Sequence, residues 1–439
     1  MMSVNLMAQR ISSPGISSNI QHENHASLTY RILFFLLLSG PPKFRLRDPS
    51  ESLSYTLDWA IMLQVIVWGV AGCWLFLDTS YESGAETADQ SRLSSLQTLS
   101  AILIGLLGVS VFFSEAPGFS AFKVYQLGVM VAFIMRFTDR FGIKETLNNL
   151  FLGCGILTLA DIVAAFLMPG LVFVQTELGS TRFRGDLIAQ TGSVSVIGLI
   201  LLLTIKSDLP RKKFIFWAVT FGGVLVFSLM RTSYLILIIF LILALVRRPA
   251  IPILRKLATL ALLVLPFVAD SLITALNEER KVEDLLTISG RVGLWSHLIE
   301  TTIDKGPWFG LGYFVASRIY APEFNAELGT AHSAFLEIYV GGGLLSLVTL
   351  LLIWTVLGWK TLKLYLSRPG KIGFAIVGLF CAALFLNGIG GELQAEAAGF
   401  CFWCVVAAVI SLPSENSSPT AASIRSPLMT TNTHEPSTT

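Results

Sequence analysis

Long apolar runs alternate with short polar connections along almost the whole chain. Runs long enough to cross a bilayer as helices, about 17 to 25 residues, fall near 55–77, 96–114, 119–137, 147–168, 187–205, 213–230, 232–247, 253–274, 333–357, 372–391 and 395–412. A shorter run from Tyr30 to Gly40 stops at Pro41 and Pro42 and reads as a first short span or an interfacial helix. The pattern predicts an all-α, polytopic membrane protein of eleven or twelve spans, with its membrane domain over residues 28–412. Residues 1–27 are rich in Ser, Asn, Gln and His, and residues 413–439 in Ser, Thr and Pro, so both ends read as disordered tails.

Composition agrees with the pattern: 53% of the 439 residues are hydrophobic and 14% charged, and the mean hydropathy is +0.69. A formal net charge of +2 carries no nucleic-acid footprint, and no nucleic-acid partner is expected. The five cysteines, Cys73, Cys154, Cys381, Cys401 and Cys404, lie in apolar runs and read as small core residues. Cys401 and Cys404 have the spacing of a metal or redox pair, but GFCFWCVV offers no further ligand, and no metal is expected there.

The basic residues sort the connections into two sets. Arg136, Arg140 and Lys144 mark one connection; Lys206, Arg211, Lys212 and Lys213 a second; Arg247, Arg248, Arg255 and Lys256 a third; Lys360, Lys363, Arg368 and Lys371 a fourth. On the positive-inside rule these four face the cytoplasm, so the connections at 169–186 and 275–331 face outward. Lys43, Arg45 and Arg47 disagree, standing in a connection that the alternation puts outside. The expected location is the plasma membrane, with 275–331 as a large extracytoplasmic loop.

That loop carries more acid (Glu278, Glu279, Glu283, Asp284, Glu300, Asp304, Glu323, Glu327) than base (Arg280, Lys281, Arg291, Lys305, Arg318), so it is not a patch for anionic lipid in general. Ser289 can cap a helix in which Val292, Trp295, Leu298, Ile299 and Ile303 repeat at helical spacing. Gly306, Pro307, Gly310 and Gly312 end it. Arg291 falls in its first turn, where a cation opposes the helix dipole and a bound anion would turn the conflict into attraction. His332 stands where the loop meets the next apolar run, within reach of both water and substrate.

Four residues far apart in sequence, Arg184, Arg231, Arg291 and His332, thus converge on the outward interface. Alone, each arginine could simply snorkel to lipid headgroups, although charges at span ends default to function. Together they suit the transfer of a sugar from a lipid pyrophosphate. Arginine forks can stabilise a departing pyrophosphate, and an imidazole of unperturbed pKa about 6.5 can take the proton of an incoming hydroxyl at neutral pH. No Asp-x-Asp pair stands in the loop, which favours a route without metal, and no cofactor is expected. Glu337, on the helix face of Ser333, could pair with an arginine or orient the acceptor, or be a buried structural carboxylate. Asp161, Asn387, Glu392 and Glu396 are weaker signals, and Gly341, Gly342 and Gly343 would let a helix or a lipid chain approach closely.

Taken in order, the segments FFSEAPGFSAFKVYQLGVMV, RFRGDLIAQTG, LMRTSYLIL, SGRVGLW, GPWFGLGY and AHSAFLEIYVGGGLL resemble the O-antigen ligase and O-antigen polymerase superfamily of bacterial membrane proteins, from about Phe112 to Leu350. The resemblance implies a helical glycosyltransferase of about twelve spans with a periplasmic loop over the active site. It further implies a polyprenyl-pyrophosphate-linked glycan as donor, a glycan, lipid or protein hydroxyl as acceptor, and no metal. On it, Arg291 matches the family's loop arginine and His332 its loop histidine. Arg231 matches the arginine before a span, with Met230 where Ser is usual, and Arg184 matches the arginine of the family's Arg-x-x-Gly or nearby Arg-Gly element. The family often has His-Asn where this chain has His332 and Ser333. Two other readings stand beside a transferase: a transporter of lipid-linked glycan or anionic solute, and a membrane scaffold without chemistry.

Overall fold

The computed structural model describes residues 14–39, 59–82, 94–175, 181–183, 191–247, 256, 291–324, 330–367, 369–389, 393 and 397–412. The protein is an all-α, polytopic membrane protein; to the helices it adds one short antiparallel ribbon, β1 (Phe173–Gln175) against β2 (Thr181–Phe183). In chain order come α1 (Pro14–Ser39), α2 (Trp59–Glu82), α3 (Ser95–Ser110), α4 (Pro117–Leu167), the short α5 (Pro169–Val172), β1 and β2. Then follow α6 (Thr191–Leu203), α7 (Arg211–Ser228), α8 (Arg231–Arg247), α9 (Arg291–Lys305), α10 (Val315–Phe324), α11 (Ala334–Leu366), α12 (Lys371–Ile389) and α13 (Ala397–Ile410). By length and composition, four of the described helical stretches suffice to cross a membrane: Ser95–Phe113, Pro117–Leu167, Ala334–Leu366 and Lys371–Gly388. α1 takes in the short apolar run from Tyr30 as far as Ser39 and reaches back to Pro14, into the stretch read as a tail. Apart from Lys256, the run at 253–274 lies outside the described residues.

Two of the long helices are not straight rods. Within α4, Gly142 has φ +81° and ψ 164°, and the hydroxyls of Thr138 and Thr146 meet at 3.1 Å, where a straight helix would hold the two residues about 12 Å apart. The chain therefore reverses at Gly142, and the arms before and after it are the separate spans read at 119–137 and 147–168. A Cβ on Gly142 would meet nothing within 4 Å. Gly142→Ala is thus expected to cost only the backbone strain, about 1–3 kcal/mol, read as a modest fall in the thermal unfolding midpoint of detergent-purified protein.

The second reversal matters more. Gly343 in α11 has φ +72° and ψ −172°. Phe335 and Trp354 then lie with ring centroids 5.9 Å apart, although 19 residues of continuous helix would separate them by about 28 Å. The arm 334–342 is folded back against the arm 344–366, so the apolar run read as one span at 333–357 is a short returning helix followed by the true span.

At the centre, every residue of α6 is buried, and so is α13 from Ala397 to Val409. A helix apolar on all sides belongs inside a bundle. Aromatic contacts tie α1 and α11 to α13, through Phe34 with Phe400 and Trp354 with Phe402, and Phe221 of α7 packs against Gly198 of α6, where an added Cβ would meet its ring at 2.4 Å. One end of the bundle collects the basic connections. Asp78 of α2 accepts from Arg136, Arg140 and Tyr30, Lys371 pairs with Asp208, and Lys206 lies over the Phe151 ring. The loop helices α9 and α10 sit at the opposite end.

Candidate functional site

The loop is seated by its own backbone. Folding back at Gly343 releases the helical partners of the peptide groups on either side, and the GPWFGLGY segment takes them up: Leu311 N–H donates to Val340 O at 2.9 Å and Gly312 N–H to Gly341 O at 3.0 Å. In the other direction Leu344 N–H donates to Pro307 O at 2.8 Å and Leu345 N–H to Trp308 O at 3.4 Å. Buried backbone groups in a membrane have no water to turn to, so the loop and the broken helix complete each other. The glycines expected to admit a helix or lipid chain admit a loop backbone instead.

The α3–α4 connection holds the same segment from the other side. Tyr313 N–H donates to Ser110 Oγ at 3.2 Å, and Ser120 Oγ donates to Tyr313 O at 3.1 Å. Phe113 and Phe309 stack at 5.8 Å. Tyr320 of α10 donates its hydroxyl to Glu115. Burial first, and then that hydrogen bond, push the Tyr320 phenol well above its ordinary pKa, so it remains a donor.

On this platform stands His332. It adopts φ +52°, a left-handed conformation uncommon outside glycine. It immediately precedes Ser333, the extended N-cap of α11, so it faces the positive end of that helix. The indole of Trp295 donates to the carbonyl of Ala331 at 2.9 Å, tying α9 to the residue before His332. Arg291 opens α9 one turn before Trp295, on the same helix face. The buried face of α9 is Leu294, Leu298 and Thr302. This corrects the expected stripe: Val292, Ile299 and Ile303 are exposed, because the helix rests on Leu336 and Val340 of the folded-back arm and not on a flat apolar surface. Ser289, the expected cap, lies outside the described residues.

Arg231 reaches this end from another direction. α7 ends at Leu229 with φ +50°, and Arg231 is the first residue of α8. Met230, where the resemblance leads one to expect Ser, packs against the start of α6: a Cβ on Gly192 would meet its sulfur at 2.7 Å. The register of α8 against α12 is fixed by Phe240, whose ring lies 5.4 Å from that of Phe374 and against Gly378. Arg231 is nine residues, about 13 Å, toward the loop end from Phe240. On antiparallel α12 that depth corresponds to 383–387, beside Gly388, where a Cβ would touch the Phe335 ring at 3.7 Å. Arg231 and the His332 helix therefore share one depth. The Arg231 Nη2 atom is buried and has no hydrogen-bond partner among the described residues.

Arg184 lies outside the described residues. Its neighbour Phe183 accepts from Thr191 Oγ1 at 3.4 Å, at the start of α6. Glu337 is 2% exposed and lies 3.7 Å from Arg318, a loop base not singled out from the sequence. Ser333 is buried as the N-cap of α11. The sequence reading also passed over two other residues. Lys123 of α4 is buried, with Nζ 4.2 Å from the Phe314 ring. His297 of α9 stacks on Phe324 at 5.8 Å, with Nε2 4.0 Å from Glu323. Asn387 has a structural part, donating to Ala383 O and Ala398 O to join α12 to α13. Asp161 is fully buried, Glu392 and Glu396 lie outside the described residues, and Cys401 and Cys404 are buried free thiols.

Residues 214–351 match a family model described as O-Antigen ligase. The match begins in α7 and ends in α11, and it contains Arg231, Arg291 and His332. No curated protein matches the chain.

Proposed function

We propose that the chain, whose residues 214–351 match an O-antigen ligase family model, is an inverting glycosyltransferase of the bacterial inner membrane. It takes a glycan from a polyprenyl pyrophosphate at the outer face and passes it to a hydroxyl acceptor, as a polysaccharide polymerase or an O-antigen ligase. The acceptor oxygen attacks the anomeric carbon as the bond to the pyrophosphate oxygen breaks. His332 receives the acceptor proton, and the leaving pyrophosphate carries away the bonding electrons. Arg231 and Arg291, with Arg184, hold that pyrophosphate, and Ser333 and Glu337 flank the acceptor side.

The observation that carries the reading is the buried Arg231 Nη2 without a partner among the described residues, at the depth of the His332 helix. A guanidinium donor withdrawn from water is costly unless an anion meets it. The returning arm of α11 lends some weight to the transporter reading, since broken helices are common at transporter binding sites. It is paired here with a loop that also carries an arginine and a histidine.

The test is incubation of the protein, purified into lipid, with a polyprenyl-pyrophosphate oligosaccharide and a chelator, resolving products by size. Wild type is expected to transfer without added metal. Arg231→Ala should lose about 10²- to 10³-fold in rate, as when one transition-state donor is removed. Arg231→Lys should recover little of it, because an ammonium cannot replace a fork. Donor crossing the bilayer without any transfer would favour the transporter.

A further inference from the structure

Two charged side chains hold the catalytic end of the folded-back arm, and neither has a place in the pyrophosphate chemistry. Glu337 lies five residues after His332, at the first turn of that arm, 2% exposed. Arg318 of α10 reaches it with Nη1 3.7 Å from Glu337 Oε1. The same Nη1 donates to the carbonyl of Phe314 at 2.9 Å, and the guanidinium carbon lies 3.2 Å from the centre of the Phe314 ring. Phe314 itself is fixed: its φ of +68° is left-handed, and its ring also receives Lys123 Nζ at 4.2 Å. Arg318 is thus located by a carbonyl, a ring and a carboxylate together.

We propose that Arg318 and Glu337 form a positioning pair that sets the orientation of His332, an inference that rests on the transferase reading. The arm 334–342 has nine residues, too few to be a stable helix by itself, so its direction comes from what pins it. Its far end is pinned by the backbone bonds from Leu311 and Gly312 to Val340 and Gly341. Its near end is pinned by Trp295 at Ala331 and by Arg318 at Glu337. Trp295 ties the residue before His332 to α9, and the ion pair ties the first turn of the arm to α10. With one pin removed, the near end can turn about the other, and the imidazole leaves the line of the acceptor hydroxyl. Arg318 stands on α10, which follows directly on the segment that fills the Gly343 reversal, so seating of the loop and aiming of the histidine are one event.

The experiment uses the full chain in proteoliposomes with a polyprenyl-pyrophosphate oligosaccharide, and measures kcat and the donor KM for wild type, Arg318→Ala, Glu337→Gln, Arg318→Lys and the exchange Arg318→Glu with Glu337→Arg. Arg318→Ala and Glu337→Gln are expected to lower kcat about 100-fold, the effect of a misplacement near 1 Å, with donor KM unchanged. Arg318→Lys, which keeps the charge, should restore most of kcat, and the exchange should restore part. Glu337→Gln is isosteric and keeps the comparison open if Arg318→Ala does not fold. A wild-type kcat in Arg318→Ala overturns the proposal. So does a joint loss of kcat and of thermal midpoint that Arg318→Lys leaves unrepaired, since that is a purely structural part. Wild type that transfers nothing from the donor overturns the transferase reading instead, and the pair with it.

Discussion

His332→Asn is expected to abolish glycan transfer while leaving the protein folded, and the pairing of those two results distinguishes a chemical from a structural histidine. A positioned general base contributes about 10²- to 10⁴-fold, so loss of the imidazole should lower the rate by that order. Stability should follow a different rule, because the backbone at His332 is left-handed, φ +52°. Asn tolerates that region, Gly carries no penalty there, and Ala meets a strain of about 1–2 kcal/mol. The thermal midpoints of detergent-purified variants should therefore run Gly at or above wild type, Asn near it, and Ala below, with all three inactive. Transfer by His332→Asn within about 10-fold of the wild-type rate would remove the proton-accepting role. A midpoint that falls with lost side-chain volume would mean that the imidazole is held for packing.

That a strained residue should stand here has a physical logic. Strain persists where surrounding contacts over-determine it, and it clusters where geometry is used. His332 is held between the Trp295 contact at Ala331 and the helix starting at Ala334, so the turn is fixed from both sides. Among the described residues the other left-handed ones that carry side chains are Phe314, which packs against Arg318, and Leu229, two residues before Arg231. All three strained turns therefore lie beside charged groups of this end of the bundle.

The spans were legible because hydropathy is a sum over many residues, and no single one decides it. The reversal at Gly343 was not, since it depends on the φ of one glycine inside an unbroken apolar run. At Gly142 the reversal was legible: the basic residues around it already marked a connection, so the two spans were read as separate. At Gly343 nothing polar interrupts the run, and a returning arm was read as the first part of a span. Arg291, His332 and Arg231 were legible as charges at span ends. Arg318 and His297 were not, because inside a polar loop a charge carries no such signal. Lys123 was hidden differently: it sits in the apolar GFSAFKVYQ stretch, where its charge could have been counted as costly but was absorbed into a span.

Gly343→Ala is expected to be the most damaging single added methyl among the described glycines. A Cβ at Gly343 would stand 2.3 Å from the carbonyl carbon and oxygen of Trp308 and 2.5 Å from Gly310 N. These are backbone atoms and cannot rotate aside. Gly310 is locked in return, with φ +72° and its own added Cβ 2.5 Å from the Gly341 carbonyl, so neither strand can retreat without breaking the pairing from Leu311 and Leu344. A left-handed penalty of about 1–3 kcal/mol and overpacking of about 1–3 kcal/mol together give about 2–6 kcal/mol. Gly142→Ala supplies the control, since it shares the positive φ but meets no neighbour. The thermal midpoint of Gly343→Ala should fall well below that of Gly142→Ala, and transfer should be lost at temperatures where the protein is still folded, because the α11 arm that carries His332 can no longer close on the loop. Equal midpoints for the two variants would show that the loop backbone yields, and that the seat of His332 is held by side chains and not by the glycine pairing.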